Sequence, residues 1–319
     1  MDLSAALEDH SNRTTTIFLI KPMTKTISPI KLGFTLAISS AALFAIRPIF
    51  VKLVYAQGVD STTLIALRML FSVPIYIILL VYFLRNSERR SRLNIKNMAQ
   101  IASIGLLGYY AASFLDLLGL QYVTAQLGRM ILYTYPTFVV LLGATFFNQP
   151  ITRRTVLSLA LTYLGIAVIF GHDLTTFGAH VITGGLFITA SAVIFSIYLL
   201  FSKSLIQKVG SQVFTCLALI SASIGIFTHF LITHSFEVQA NNHALGLILL
   251  IAIFCTVIPT FLTTAAVDRI GADRTSIVAT IGPAFTSLFA VLILSEDFTV
   301  YHLIGIALTV LGVFILGRK

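Results

Sequence analysis

Four ionisable residues stand inside otherwise apolar, helix-length runs of this chain: Arg47, Arg68, Asp116 and Arg129. A charge at such a position costs about 2.5–3.5 kcal/mol on insertion scales, so it points to a polar site facing a bundle interior or a cavity. Arginine does not shed its proton and presents a planar fork of donors that matches a carboxylate or phosphate. Counted at 1.5 Å per residue from a turn near residue 122, Asp116 and Arg129 come level at roughly 10 Å depth. They are therefore expected to pair, either as a purely structural contact or as part of a binding site. Arg129 can also snorkel along its own stem. Arg47 and Arg68 are level with each other about a turn near residue 58, and somewhat deeper. Three guanidiniums against one carboxylate leave a surplus of two positive charges, which a ligand anion or water would have to meet.

Other residue types sharpen the picture. Tyr109, Tyr110, Tyr133 and Tyr135 lie in apolar runs near the charges. Each offers a flat apolar body with a polar tip, suited either to holding a small organic molecule or to interhelix packing. Tyr110 and Tyr133 are taken, with the four charged residues, as candidate substrate contacts. Pro136 and Pro283 each remove one helical hydrogen bond and are candidate kink or gating points; Pro48, beside Arg47, frees a carbonyl one turn back. No metal site and no cofactor are expected. His229 and His234 are five apart, off a shared helical face, and His172-Asp173 reads as a solvated outer turn. Cys216 and Cys255 both sit in apolar stretches and read as small buried hydrophobes.

The elements that must position these residues follow from composition. Hydrophobic types make up 57% of the 319 residues and charged types 10%, against about 25% charged in a soluble domain. The chain is an all-α polytopic membrane protein with ten expected transmembrane helices, near 32–54, 62–84, 99–120, 124–147, 154–171, 182–202, 212–232, 245–267, 274–294 and 300–317. Residues 1–31 form a polar tail. The basic residues 13, 21, 25, 31, 85, 89, 90, 92, 96, 153, 154, 203, 208, 269, 274, 318 and 319 all fall on one side of that layout, 17 of the 21 in the chain. This is the positive-inside pattern, which places both termini in the cytoplasm. The net charge of +9 is thus topological, and no nucleic-acid partner is implied.

The chain also repeats itself. A shift of 147 residues aligns 114–169 with 261–316 at 12 of 56 positions, among them Phe114/Phe261, Pro136/Pro283, Thr162/Thr309 and Gly165/Gly312. A shift of 151 aligns Gly33/Gly184 and Phe44/Phe195 near the starts. Two five-helix repeats, 32–171 and 182–317, follow. Five is odd, so the second enters the bilayer from the opposite side. An inverted repeat supplies two nearly equivalent packings, the physical basis of alternating access about a midplane site.

At "TLIALRML" (63–70), "LGLQYVTAQLGRMILYTYPTFVVLLGATFF" (118–147), "AAVDRIGADRTSIVATIGPAFTSLFAVLILSEDFT" (265–299) and "LIGIALTVLGVFIL" (303–316) the sequence resembles the EamA type of the drug/metabolite transporter superfamily. The resemblance covers 33–317 and includes an arginine in span 2, the paired Pro and Gly, and Glu296 after span 9. Gln149 departs from the pattern at the position matching Glu296. The resemblance implies a membrane transporter, often an exporter, of an amino acid or other small metabolite. With no GxxxxGK[ST] loop, the expected function is secondary active transport of a small-molecule substrate across a lipid bilayer, the inner or plasma membrane. The sequence names no coupling ion, proton included, and no oligomeric state. The competing readings are an integral membrane enzyme acting on lipid and a non-transporting scaffold. Short basic loops poor in catalytic side chains weigh against the first, and the repeat weighs against the second.

Overall fold

The structure, a computed structural model, describes residues 29–147, 151–234, 240–270, 272–279 and 281–317. Most of the N-terminal tail, Gln149, Arg318 and Lys319 lie outside the described residues. Among the described residues the chain is helical between its turns and holds no strand. Eight helices are long and apolar enough to cross a membrane: Ile30–Tyr55, Ser61–Leu84, Ile95–Leu120, Ala125–Phe146, Arg153–Phe177, His180–Val209, Ser211–His234 and Asn242–Val267. We call these spans 1 to 8. Two shorter apolar helices, Gly282–Leu294 and Val300–Ile315, are spans 9 and 10. Ala272–Ala279 precedes span 9 as a separate helical piece.

Lipid offers no hydrogen-bond partner, so each crossing segment must satisfy its own backbone, and helices do so. Their starts carry side-chain caps: Asp60 accepts from the Thr62 and Thr63 amides, Asn94 from Asn97, Thr124 from Leu127, Thr152 from Thr155 and Asn241 from Ala244. Gly178 and Gly210 end spans 5 and 6 at φ 81° and 86°, a backbone region open to glycine. Several spans outrun the apolar runs that mark them. Span 6 continues to Val209 and span 5 to Phe177, because apolar length measures the lipid core while the helix continues into the headgroup layer. Large apolar side chains such as Ile78, Phe146, Ile232 and Leu292 point outward, as a lipid-facing surface requires.

The packing is reciprocal between the repeats. Span 1 packs on span 8 and span 6 on span 3, while spans 2 and 7 pack on each other, as do spans 5 and 10. Two hydrogen bonds match across the halves. The Ser40 hydroxyl donates to the Pro259 carbonyl at 2.8 Å, and the Ser191 hydroxyl to the Ala112 carbonyl at 2.7 Å. Ser40 and Ser191 are 151 apart, Ala112 and Pro259 147 apart. Each acceptor lies just past a π-helical stretch, Leu106–Ala111 in span 3 and Ile253–Val257 in span 8, which begin 147 residues apart. At the 5–10 contact the repeat meets itself. The Thr309 hydroxyl lies 3.4 Å from the Thr162 carbonyl. A Cβ on Gly165 would stand 2.5 Å from the Gly305 carbonyl oxygen, and one on Gly312 2.7 Å from that of Ser158. Small residues here let the two backbones approach, and the local axis of the inverted repeat runs between spans 5 and 10.

Gly165→Ala should therefore lower the melting temperature in detergent, at a cost of about 1–3 kcal/mol from overpacking. Gly171→Ala on the same helix meets nothing within 4 Å and should raise it slightly through helix propensity. Equal, small shifts for both would show that the 5–10 contact is not close-packed.

Candidate functional site

Arg68 stands two turns into span 2, after the Asp60 cap. It is 2% exposed and its Nε has no hydrogen-bond partner. The Ser72 hydroxyl donates to its carbonyl, 2.8 Å away. Arg47 is held by a break in span 1. Helix Pro29–Ala45 ends, Ile46 turns the chain, and Arg47–Tyr55 restarts with Pro48 in its first turn. The Ile49 amide bonds Ile46 rather than Ala45, and the Thr286 hydroxyl of span 9 meets the freed Ala45 carbonyl at 2.9 Å. From this restart Arg47 Nη2 donates to Asp116 Oδ2. A hydrogen-bonded lattice closes the adjoining end of spans 1 to 3: the Tyr55 hydroxyl donates to the Leu117 carbonyl at 2.8 Å and meets Ser61, whose hydroxyl accepts from Gln121.

The partner of Asp116 is a correction. Sequence depth pairs it with Arg129; the structure pairs it with Arg47. Counting residues gives depth but not azimuth, and at 100° per residue a level neighbour can face elsewhere. Arg129 instead lies over the ring of Tyr133, one turn on, with its carbon Cζ 5.2 Å from the ring centroid. Its Nε is buried without a partner. The three guanidiniums nevertheless converge: Arg47, Arg68 and Arg129 all lie within electrostatic reach of the Cys255 thiol in the π-helical stretch of span 8. Arg68 also feels Arg47 and Asp116. The result is a cationic group from spans 1, 2 and 4 near span 8, with Arg68 buried, Arg47 and Arg129 half-buried, and Asp116 bound to Arg47.

The candidate tyrosines are engaged by the protein. The Tyr133 hydroxyl donates to the Ala279 carbonyl at 2.7 Å. That carbonyl ends the Ala272–Ala279 helix, so the bond crosses from span 4 to the interruption before span 9. Span 4 is interrupted at 133–134, between Ala125–Leu132 and Tyr135–Phe147. The second interruption falls between Ala279 and Gly282, and the same 147-residue shift relates the two. Pro136 and Pro283 lie in the first turn after each. Tyr110 turns to span 7, its hydroxyl 3.0 Å from His229 Nδ1.

At one mouth of the bundle a polar cluster escaped sequence reasoning. Asp173 is not in a solvated turn: it lies in the final turns of span 5, fully buried. Its Oδ2 accepts from the Thr124 hydroxyl at 2.8 Å, and its Oδ1 lies 3.3 Å from His172 Nδ1 and 3.6 Å from His302 Nε2. Glu296 caps span 4, accepting from the amides of Ala125 at 2.8 Å and Gln126 at 3.4 Å. No spacing links residues 172–173 to 302, because the contact arises only when spans 5 and 10 pack. Beside span 2, Asp60 lies 3.3 Å from His234 Nε2. Burial works against its charge, but bonds from Thr63 and Thr62 outweigh that and hold its carboxyl below the usual range. A separate cavity of about 230 Å³ opens among Ile131, Phe138, Tyr163, Ile166, Phe170 and Leu186; its walls are mostly apolar, with Thr134 and Thr189 among them, and do not include the arginines.

Asp116→Asn should leave the half-buried Arg47 without its counter-ion, a loss of about 3 kcal/mol or less, below the full cost of breaking a buried pair. Adding Arg47→Gln should recover part of that loss in thermal unfolding, whereas adding Arg129→Gln should be additive. The reverse pattern would restore Arg129 as the partner.

Comparison with known proteins agrees with this architecture. Residues 31–171 and 182–318 each match the EamA-like transporter family. A Bacillus subtilis protein named uncharacterized transporter YcbK is 26% identical over 275 residues, covering 82% of this chain and 85% of that one. An uncharacterized transporter of Archaeoglobus fulgidus is 25% identical over 228 residues, covering 72% and 80%. One crystal structure superposes with a TM-score of 0.61 at 17% identity, over 89% of this chain and 96% of that one, a likeness of fold. Two matched repeats, packed reciprocally across the membrane helices, make this chain a member of the EamA-like transporter family.

Proposed function

We propose that the protein is a secondary active transporter that exports a small organic anion, or an amino acid held by its carboxylate, by alternating access. The observation that carries this reading is Arg68: a buried guanidinium with an unpartnered Nε, within electrostatic reach of Arg47 and of Asp116, the carboxylate already bound to Arg47. An uncompensated buried cation calls for an anion, and a carboxylate or phosphate of the cargo supplies one in bidentate form. In this reading Arg68 binds the anionic group, Arg47 and Asp116 shape the site, and Arg129 on its Tyr133 platform flanks it. Tyr110 supports the wall from span 3. The repeats 32–171 and 182–317 are the moving units, and the interruptions before Pro136 and Pro283 are their bending points. The protein is not an enzyme in this reading. Export rests on the family resemblance, and the inner (plasma) membrane with cytoplasmic termini rests on the distribution of Lys and Arg.

Metabolite retention in cells with and without the protein nominates anions, and uptake into proteoliposomes tests them. Arg68→Lys keeps the charge but loses the fork, and should raise the apparent KM about tenfold or more, in line with roughly 1.5–3 kcal/mol for a charged hydrogen bond. Arg68→Gln should abolish uptake, with both variants still folded. Wild-type uptake by both variants, or a cation as sole cargo, would overturn the anion reading.

Orientation has its own test. Cys216 and Cys255 are buried, so introduced cysteines report with little background. Those at Ser91 and Lys208 should label only from the cytoplasmic side, and one at Thr176 only from outside; labelling of all three from one side would refute the topology.

A further inference from the structure

We propose that His172, Asp173 and His302 form a binding site for a zinc-class divalent transition metal at the mouth of the bundle that carries the 5–6 turn. The site joins the end of span 5 to the start of span 10. The inference is independent of the anion reading above.

One ligand atom from each residue converges: a ring nitrogen of His172, a carboxylate oxygen of Asp173 and a ring nitrogen of His302 all lie within 4.8 Å of one another. The two nitrogens stand 3.3 and 3.6 Å from Oδ1. The second of these is too long for a hydrogen bond. Both are close to the edge of a tetrahedron whose centre binds nitrogen and oxygen at 2.0–2.1 Å, an edge of about 3.3–3.4 Å. Two of the three edges thus match co-ligands of one ion, and rotation of the imidazoles toward each other would bring the third, within 4.8 Å, to the same length.

The surroundings are those of a metal site. A ligating imidazole needs its other nitrogen held and a ligating carboxylate needs its second oxygen bonded. His302 Nδ1 is held at the start of span 10, accepting from the Thr299 amide at 3.3 Å and lying 2.9 Å from the Thr299 hydroxyl; metal binding at Nε2 would move the ring proton to Nδ1, which would then donate to that hydroxyl in place of accepting from the amide. Asp173 Oδ2 accepts from Thr124, which also caps the start of span 4. Asp173 and His302 are buried, whereas the His172 side chain is 18% exposed and leaves a path for the ion and a fourth ligand, such as water. Two imidazoles and one carboxylate suit zinc rather than magnesium or calcium, which prefer all-oxygen sets. Lys52 lies within electrostatic reach of Asp173 and Glu296, and its charge tempers affinity for a cation without occupying the ligand atoms.

A bound ion would cross-link spans 5 and 10, and through Thr124 and Asp173 would brace span 4, at the contact where the repeats meet. The full chain, purified in detergent with a histidine-free tag and stripped with chelator, should bind one ZnCl2 equivalent in titration calorimetry, and zinc should raise its melting temperature. MgCl2 should do neither. His172→Ala, at a partly exposed position, should weaken zinc binding about tenfold or more while the apo protein melts as wild type; His302→Ala should weaken it at least as much. The proposal is overturned if folded wild-type protein shows no saturable zinc binding, or if folded His172→Ala binds zinc as tightly as wild type.

Discussion

Every feature of this protein answers to one constraint: inside a bilayer, a backbone group left without a partner has no water to turn to. Unbroken helices meet it by themselves. This chain breaks its helices, and the partners come from the other repeat. The Ala45 carbonyl, freed at the span 1 break, takes the Thr286 hydroxyl; the Ala279 carbonyl before span 9 takes Tyr133; the free amides at the start of span 4 take Glu296. Each interruption is thereby a joint between halves, and the two repeats cannot be drawn as separate bundles.

The same joints make the site. Restarting span 1 at Arg47 sets the guanidinium on Asp116, and the span 4 break follows directly on the Arg129–Tyr133 stack. Arg68 needs no break; it is carried inward on a regular helix whose start is capped by Asp60. Helix irregularity and buried charge therefore fall in one region, where span 8 adds a π-helical stretch opposite the cluster. A pair such as Arg47–Asp116 adds little net stability over apolar packing, yet is costly to break. Such a pair sets geometry more than it holds the fold together.

The spans 5 and 10 contact plays the opposite part. It is built from Gly165, Gly312, Thr162 and Thr309, each facing the other repeat's copy of the motif. Glycine contacts at this closeness do not deform continuously, so the contact favours a fixed axis over a sliding surface. The His172–Asp173–His302 cluster lies at one end of that same helix contact.

Much was legible in the sequence because membrane chemistry is coarse. Apolar runs give the spans, Lys and Arg in the short loops give the proposed sidedness, and matched Pro and Gly give the repeat, since each obeys a one-dimensional rule. The candidate charges were legible for the same reason: a charge in an apolar run is conspicuous. Partnership was not. Depth alone pairs Asp116 with Arg129, whereas azimuth, set by packing, turns it to Arg47. Asp173 reads as solvated because the apolar run ends before it, yet its helix continues and span 10 covers it. The π-helical stretches leave no mark in composition, being a choice of hydrogen-bond register that neighbouring helices impose. The sequence by itself determined which segments lie in lipid and which residues pay to be there; only the tertiary structure decided which of them face one another, because facing depends on helix rotation and contact, which no local spacing encodes.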